Sequence, residues 1–311
     1  MRRLILLATV LIVSAPLFAQ SRATVTTVDF KSDLLQAKAP FNVILPAGYD
    51  TSLRRYPVLL LLHGLTGHYD NWMTDTNLLL YANKYPLIIV MPEGGNGWYT
   101  NGVAPTAKWE DHIMKEVVPY VNEHYRTLRD HGMWGVAGLS MGGYGALKFG
   151  LKYTYDFSFA ASMSGALEAP NWKDADMIKW EVVPVSLHAA YGPEGAPAHQ
   201  ANSLETILND AKAPLPFIYL DCGTEDGLLA DNRKFADLLE NKKIAHEYRE
   251  RPGIHNWPEW DHQIQEVLRL LAEKWQLTWC DDPLCAPPSG RMEMPPPLPG
   301  AMSPLQPEAK P

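Results

Sequence analysis

Residues 134–145 read WGVAGLSMGGYG and decide the fold. An apolar run of strand character ends at Gly138, a serine follows between glycines, and the residues from Tyr144 onward have the composition of a helix. A Gly-x-Ser-x-Gly pattern on a tight strand-to-helix turn strains the serine backbone and pushes its hydroxyl out of the sheet. Gly138 and Gly142 leave room for strand and helix to approach each other. The stretch therefore predicts that Ser140 is a nucleophile, with a chance match of a short pattern as the alternative.

Length and composition indicate one large folded domain. The chain has 311 residues, of which 46% are apolar, and this is enough to bury a sizeable core. Its formal charge is −8, or −10 once Arg2 and Arg3 are removed with the N-terminus, and lysine and arginine form no cluster. Because binding to nucleic acid requires a basic face that neutralises phosphates, we expect no nucleic-acid partner.

The N-terminus has the organisation of a secretory signal. Arg2 and Arg3 precede an apolar run at 4–13, and small residues lead to a predicted cleavage after Ala19. The alternative is a membrane anchor, but the apolar run is shorter than the ~20 residues that span a bilayer. We therefore expect residues 1–19 to be a signal peptide and the mature chain to be periplasmic or secreted, without a membrane span.

Alternating strand and helix patterns predict the fold class. Continuous apolar runs predict strands buried on both faces, as in a parallel sheet, at 57–62, 87–91, 157–163 and 216–220. Shorter or alternating stretches predict strands at 23–30, 40–46 and 245–248, and helices are predicted at 72–81, 109–125, 228–239 and 257–275. Such alternation predicts an α/β domain with a mostly parallel, doubly wound sheet, here over residues 22–285.

Two segments depart from this alternation. Residues 166–213 lose their periodicity and accumulate proline, glycine and aromatic residues, which predicts a cap-like insertion or a set of ordinary surface excursions. Residues 286–311 are rich in proline and predict a disordered tail. Before the tail, Cys280 and Cys285 could close a small disulfide loop in an oxidising compartment, and Cys222 lies in an apolar run typical of the core.

A serine hydroxyl becomes a nucleophile when a histidine takes its proton and a carboxylate orients that histidine. The Gly-x-Ser-x-Gly turn resembles that of the α/β-hydrolases, in which the carboxylate and then the histidine follow the serine in the chain, on loops after later strands. The carboxylates near the 217–220 strand are Asp221, Glu225, Asp226 and Asp231. Asp226 is preferred over Glu225 because Gly227 lets the chain turn directly after it. His255 lies on a Pro/Gly loop just before a helix and is the predicted base.

The developing oxyanion needs hydrogen-bond donors. One candidate is the backbone N–H of Met141, which follows the nucleophile, and the other is the backbone N–H of Leu65, after the 57–62 strand. His63 is expected to brace this turn through a hydrogen bond. Trp98 and Tyr99 follow a glycine-rich loop and are predicted to line the substrate pocket, with a packing role as the alternative.

Five motifs in order resemble the esterase D-like family of esterases. They are His63-Gly64-Leu65, Pro92-Glu93-Gly94-Gly95-Asn96, Gly138-Leu139-Ser140-Met141-Gly142-Gly143, Cys222-Gly223-Thr224-Glu225-Asp226 and Gly253-Ile254-His255. That family includes S-formylglutathione hydrolases, feruloyl and acetylxylan esterases, tributyrin esterases and mycolyltransferases. The resemblance implies an α/β-hydrolase fold, a Ser140–Asp226–His255 triad, and oxyanion donors at Leu65 and Met141. Ile254 stands where the family usually has a second glycine before the histidine.

These observations predict an exported serine ester hydrolase that uses no cofactor and no metal. The expected substrate is a small-molecule or carbohydrate ester, with a short or aromatic acyl group on a sugar. The alternatives are an acyltransferase to sugar hydroxyls, a thioesterase acting on S-formylglutathione, and a non-enzymatic adhesion or binding protein on the same fold. The sequence makes no prediction of oligomeric state.

Overall fold

A computed structural model describes residues 22–129, 132–177 and 179–278. The predicted signal peptide, the proline-rich tail, Cys280 and Cys285 lie outside the described residues, so these predictions stay open. Cys222 is a buried free thiol, as its apolar surroundings indicate.

The described chain contains one eight-stranded sheet and a two-stranded hairpin. The sheet order is β1-β4-β6-β5-β7-β8-β9-β10, in which β4 runs antiparallel to β1 and β6 while β5 to β10 are parallel. The strands are β1 Thr24–Val28, β2 Lys31–Ser32, β3 Ala37–Lys38, β4 Phe41–Leu45, β5 Val58–Leu62, β6 Ile88–Pro92, β7 Trp134–Leu139, β8 Phe157–Met163, β9 Phe217–Gly223 and β10 His246–Arg251. The predicted mostly parallel sheet is confirmed.

Helices cover both faces of this sheet. They are α1 Asn71–Thr74, α2 Leu78–Ala82, α3 Trp109–Asp111, α4 Val118–His124, α5 Met141–Lys152, α6 Asp174–Met177, α7 Val182–Tyr191, α8 Pro197–Ala201, α9 Leu204–Asp210, α10 Leu229–Asn241 and α11 Trp257–Lys274. Short 3₁₀ turns lie at Tyr49–Thr51 and Ala169–Asn171, and π-helical turns at His112–Val117 join α3 to α4. The helix predicted at 109–125 therefore exists, with a widened middle.

The single helix predicted at 72–81 is wrong, because the chain forms α1 and α2 instead. Side chains capture the backbone groups at the break: the Thr76 hydroxyl bonds to the carbonyl of Trp72, and Leu78 N–H donates to the Thr76 hydroxyl at 3.1 Å. The N–H of Asn77 donates to Asp261 Oδ1 at 2.7 Å, a residue of α11. A tertiary contact thus replaces the helical hydrogen bond at this point, which helical periodicity alone does not indicate.

The core lies in two layers, one on each face of the sheet. Alternate residues of β5 enter opposite layers: Val58, Leu60 and Leu62 join one apolar cluster, and Leu59 and Leu61 join the other. All five are fully buried. Successive side chains of a strand point to opposite faces, so an unbroken apolar run is what a strand with helices on both sides requires.

The helices α6 to α9 lie within residues 166–213, and α9 packs beside α5. The Tyr144 hydroxyl in α5 donates to the carbonyl of Asn202 at 2.8 Å. The indole N–H of Trp98 donates to the hydroxyl of Ser186 in α7 at 2.9 Å. The segment is therefore helical and anchored to the strand-to-helix region, while its function as a cap stays a prediction.

The turn between β7 and α5 brings two backbones into contact. Ser140 has φ 52° and ψ −118°, a conformation that costs a residue with a side chain free energy. A Cβ on Gly138 would lie 2.3 Å from the carbonyl oxygen of Gly142, and one on Gly142 would lie 2.5 Å from that of His63. Glycine is required at both positions because an added Cβ would meet backbone atoms, which cannot move aside as a flexible side chain can.

We expect Gly138→Ala to destabilise the fold by about 1 to 3 kcal/mol, since its methyl group must push two backbone segments apart. Thermal unfolding measures the loss, which corresponds to roughly 2 to 4 °C per kcal/mol in a domain of this size. Gly227→Ala is the matched control, because a Cβ there meets nothing within 4 Å and its φ is outside the left-handed region. Equal melting temperatures for both variants would contradict this account of the turn.

Candidate active site

Three side chains that are far apart in the sequence meet at one edge of the sheet. Ser140 follows β7, Asp226 follows β9 and His255 follows β10, and these strands are parallel. His255 Nε2 lies 3.0 Å from Ser140 Oγ, and His255 Nδ1 lies 2.9 Å from Asp226 Oδ2. With a proton on Nδ1 donated to Asp226, Nε2 is free to accept the proton of the serine hydroxyl.

The structure separates the four candidate carboxylates. Asp226 is 6% exposed and also accepts a hydrogen bond from Leu228 N–H at 2.8 Å, whereas Glu225 is exposed to solvent. Burial alone would raise the pKa of Asp226, but the hydrogen bond and charge of His255 outweigh it and hold that pKa below its ordinary value. Asp231 lies in α10 and accepts from the Trp172 indole at 2.8 Å.

The loops that carry Asp226 and His255 are bonded to each other. Thr224 N–H donates to the carbonyl of Arg251 at 2.8 Å, and Glu225 N–H donates to that of Gly253 at 3.0 Å. A Cβ on Gly223 would lie 2.2 Å from the Gly253 carbonyl oxygen, so this approach needs glycine. The two loops thereby hold the carboxylate and the imidazole as one unit.

The imidazole also has a fixed packing partner. The rings of Trp260 and His255 pack perpendicular to each other, with 4.9 Å between centroids and 88° between planes. Trp260 belongs to α11, which begins at Trp257 and is capped by Asn256, whose Oδ1 accepts from Glu259 N–H at 3.2 Å. The helix therefore starts directly after the histidine and presents an aromatic wall to it.

Ser164 supports the carboxylate and was not among the predicted site residues. It follows β8, is fully buried and has φ 46°. A hydrogen bond from its hydroxyl contributes to the lowered pKa of Asp226, and its backbone N–H donates to the carbonyl of Asp221 at 2.8 Å. The position of Ser164 could have indicated this role, because β8 lies between the strands that lead to Ser140 and to Asp226.

The candidate oxyanion donors belong to segments that adjoin Ser140. Met141 is the first residue of α5, so its N–H is among the helix amides that have no intrahelical acceptor. A Cβ built on Gly64 would lie 3.5 Å from Ser140 Cβ, which brings the loop that carries Leu65 next to the serine. The buried ring of His63 contacts the Gly64 carbonyl through Nδ1 at 2.8 Å and accepts from Gly94 N–H through Nε2 at 2.9 Å. His63 thus braces the turn.

Trp98 and Tyr99 lie inside the protein, with 1% and 0% of their surfaces exposed. Trp98 packs its ring edge against Tyr144 and Trp172, and the Tyr99 hydroxyl donates to the carbonyl of His63 at 2.9 Å. These contacts give both side chains a packing role in this conformation. Contact with substrate through either ring stays a prediction.

Within the described residues, no group of three or more histidine, cysteine, aspartate or glutamate side chains is arranged to hold a metal ion. In the same part of the chain, no helix has the length and apolar character needed to cross a bilayer.

Asp221 ends β9 in a very different environment from Asp226. It is fully buried, and burial raises its pKa to about 8, although the Tyr219 hydroxyl, donating at 3.0 Å, and the charge of Arg251 oppose this. The ordinary value is 3.8, so between about pH 4 and pH 8 the folded state holds a proton that the unfolded state has lost. The contribution of this carboxyl to stability is therefore greatest below about pH 4 and is lost as the pH rises through about 8.

We expect Asp221→Asn to gain stability relative to wild type as the pH rises from 5 to 8, because the amide does not ionise. Thermal unfolding at several pH values measures this difference. Asp237→Asn, on the exposed face of α10, is the control and is expected to keep a constant offset from wild type. A constant offset for Asp221→Asn as well would show that this carboxyl is ionised in the folded protein.

Comparison with known proteins extends this description. A family model described as "Putative esterase" matches residues 32–271. Esterases MT1326 and Rv1288 of Mycobacterium tuberculosis are each 34% identical over 238 residues, which cover 69% of this chain and 52% of theirs, so the chain spans about half the length of these relatives. The acetyl esterase of Caldicellulosiruptor saccharolyticus is 27% identical, covering 79% of this chain and 97% of that protein. Diacylglycerol acyltransferase/mycolyltransferase Ag85A of Mycobacterium leprae is 26% identical, and the match covers 70% of this chain and 75% of that protein.

Solved structures show the same architecture. FphF, a fluorophosphonate-binding serine hydrolase of Staphylococcus aureus, has a TM-score of 0.71 at 26% identity and covers 80% of this chain and 98% of its own. A ferulic acid esterase has a TM-score of 0.69 at 26% identity, and S-formylglutathione hydrolase FrmB of Staphylococcus aureus has a TM-score of 0.66 at 27% identity. Each match covers 81% of this chain and 99% of the other. The family model spans most of the sequence, and the sheet agrees with these neighbours. The chain therefore belongs to the esterase family that the model describes and has the α/β-hydrolase fold.

Proposed function

We propose that the protein is a serine ester hydrolase that acts through a Ser140–His255–Asp226 triad and an acyl-enzyme. The observation that carries the proposal is the pair of contacts at His255, 3.0 Å to the serine hydroxyl and 2.9 Å to the carboxylate. Membership of the esterase family supports it, as does the strained backbone that presents Ser140 at the start of α5.

The contacts define a proton path for acylation. Ser140 Oγ attacks the ester carbonyl carbon while its proton moves to His255 Nε2, and the carbonyl π electrons become an oxyanion. The backbone N–H groups of Leu65 and Met141 are the proposed donors to that oxyanion. When the tetrahedral intermediate collapses, the C–O bond to the alcohol breaks and the imidazolium protonates the departing alkoxide.

Deacylation repeats the path with water. His255 Nε2 takes a proton from a water molecule as the water oxygen attacks the acyl carbon. Collapse of the second tetrahedral intermediate returns that proton to Ser140 Oγ and releases the carboxylic acid. Asp226 keeps the Nδ1–H tautomer and stabilises the imidazolium without taking the proton. Its lowered pKa suits this task, because the carboxylate remains ionised at neutral pH.

The proposed substrates are short or aromatic acyl esters of sugars. Two neighbours named as an acetyl esterase and a ferulic acid esterase support this class. The predicted signal peptide supports action in the periplasm or outside the cell. A glutathione thioester is the less favoured alternative despite the S-formylglutathione hydrolase neighbour, since glutathione chemistry is mainly cytosolic.

We expect Ser140→Ala to lower kcat for a p-nitrophenyl ester by at least about 10³-fold, because no other group supplies the attacking oxygen. Asp226→Asn is expected to lower kcat strongly too, since the amide favours the wrong imidazole tautomer. Glu225→Gln is the matched control on the same loop and should retain wild-type kinetics. Wild-type turnover by Ser140→Ala would overturn the proposed function and revive a non-enzymatic role.

A further prediction concerns the substrate and the molecule that accepts the acyl group, either water or a sugar hydroxyl. Acetyl-sugar and feruloyl-sugar esters should be hydrolysed with higher kcat/KM than S-formylglutathione, and free acid should exceed transfer product when a sugar acceptor is added. Chromatography of the products with wild type and Ser140→Ala measures both. Transfer product in excess of free acid would identify an acyltransferase, the activity named for Ag85A, and would contradict hydrolysis.

A further inference from the structure

The peptide group between Gly64 and Leu65 carries the second proposed oxyanion donor. Its carbonyl oxygen lies 2.8 Å from His63 Nδ1, so the ring of His63 holds one end of the peptide while the Leu65 N–H points from the other. The preceding carbonyl, that of His63, accepts the hydroxyl of Tyr99 at 2.9 Å. The peptide plane that carries the donor and the plane before it are therefore both held by side chains.

Tyr99 reaches His63 through a space that only glycines leave open. A Cβ on Gly94 would lie 2.5 Å from the Tyr99 ring, and a Cβ on Gly145 would lie 2.5 Å from the same ring. Gly145 belongs to α5, the helix that starts at the nucleophile. The Tyr99 ring thus lies between Gly94, in the loop after β6, and Gly145 of α5. Its hydroxyl reaches His63 in the loop after β5, which carries Leu65.

The backbone is strained at Tyr99 and at the residue before it. Trp98 has φ 50° and Tyr99 has φ 49°, both in the left-handed region that residues with side chains seldom adopt. Strain of this kind persists only where surrounding contacts enforce it, and it concentrates at functional sites. Something must hold the two residues in place.

A buried ion pair supplies that hold. Lys148 of α5 is fully buried, and its ammonium group donates to the Tyr99 carbonyl at 3.0 Å while it lies 2.8 Å from Glu110 Oε2. Burial lowers the pKa of Lys148 to about 8, against the raising effect of Glu110. Burial would raise the pKa of Glu110, but Lys148, Lys152 and Tyr153 hold it at about 2. Both groups are therefore charged at neutral pH.

A buried pair of charges is a costly way to stabilise a fold, because apolar residues of similar volume often do so equally well. Here the lysine also donates to one particular backbone carbonyl, which an apolar side chain cannot do. The Lys148 ammonium donates to Glu110 and to the Tyr99 carbonyl, and the Tyr99 hydroxyl donates to the His63 carbonyl. The nucleophile helix and the oxyanion loop are thereby tied together through one tyrosine.

We propose that Tyr99 is a positioning residue of the oxyanion hole: the Lys148–Glu110 pair holds its backbone carbonyl, and its hydroxyl fixes the His63–Leu65 loop relative to Ser140. This inference rests on the proposed ester hydrolysis and assigns Tyr99 a task other than binding substrate. An oxyanion donor acts mainly in the transition state, so a misplaced Leu65 N–H lowers kcat more than it changes KM.

The test compares Tyr99→Phe with Tyr144→Phe, which removes another buried hydroxyl that donates to a backbone carbonyl, that of Asn202. Removal of a direct donor costs about 10²- to 10³-fold in kcat, so loss of its support should cost about 10- to 100-fold with KM changed by less than about 3-fold. Each variant is assayed with a p-nitrophenyl ester and with the matching thionoester, whose developing sulfur anion is a weaker hydrogen-bond acceptor.

Tyr99→Phe is expected to lower the ratio of ester to thionoester kcat/KM by about 10-fold or more, because the loss falls on the oxygen anion. Tyr144→Phe should leave that ratio at the wild-type value. Should Tyr99→Phe fail to fold, as judged by thermal unfolding, Lys148→Met takes its place, since it keeps every ring, removes the donor to the Tyr99 carbonyl and leaves Glu110 paired with Lys152 and Tyr153. An unchanged ratio in the variant that folds would overturn the positioning role.

Ser140→Ala separates this inference from the proposed function. If Ser140→Ala is inactive on both substrates while Tyr99→Phe matches Tyr144→Phe in ratio, the hydrolase proposal stands and the positioning role fails. If Ser140→Ala retains turnover, the hydrolase proposal fails, and the positioning role fails with it because it has no oxyanion to serve.

Discussion

The site depends on the backbone of Ser140, which is held at φ 52° and ψ −118°. Such a conformation costs a residue with a side chain about 1 to 3 kcal/mol, so its surroundings must enforce it. Its N–H donates to the carbonyl of Met163 at 3.0 Å, and its carbonyl accepts from Ala166 N–H at 3.0 Å. Gly138 and Gly142 let the backbones meet, and these contacts place the hydroxyl at the edge of the sheet.

Strain is concentrated at this edge. The residues with side chains and positive φ that follow β5 to β8 are Thr66, Trp98, Tyr99, Ser140 and Ser164. Each belongs to a loop that carries or supports part of the proposed machinery. Packing of the two apolar layers elsewhere supplies the stability that holds these unfavourable conformations.

The sequence predicted the sheet well because burial on both faces leaves an unbroken apolar run, as at 57–62 and 157–163. Boundaries moved by one to three residues, as at β6 and β9, where strand pairing continues past the apolar run. The helix prediction at 72–81 was wrong because Asp261, about 180 residues away in the chain, takes the N–H of Asn77. Ser164 escaped notice because a serine after a strand carries no pattern until the neighbouring strands are known.

By itself, the sequence determined the strand-to-helix turn at Ser140, the family motifs and the short set of residues able to act as acid and base. These are local properties, since glycine, serine and histidine at given spacings restrict the backbone and the chemistry directly. The sequence favoured Asp226 over its neighbour Glu225, but only the tertiary structure sets the contact with His255, since it buries Asp226 beside the imidazole and leaves Glu225 in solvent. It also decided that Tyr99 packs in the interior, since the contacts that bury it come from α5, the loop after β6 and His63, which only the folded chain brings together.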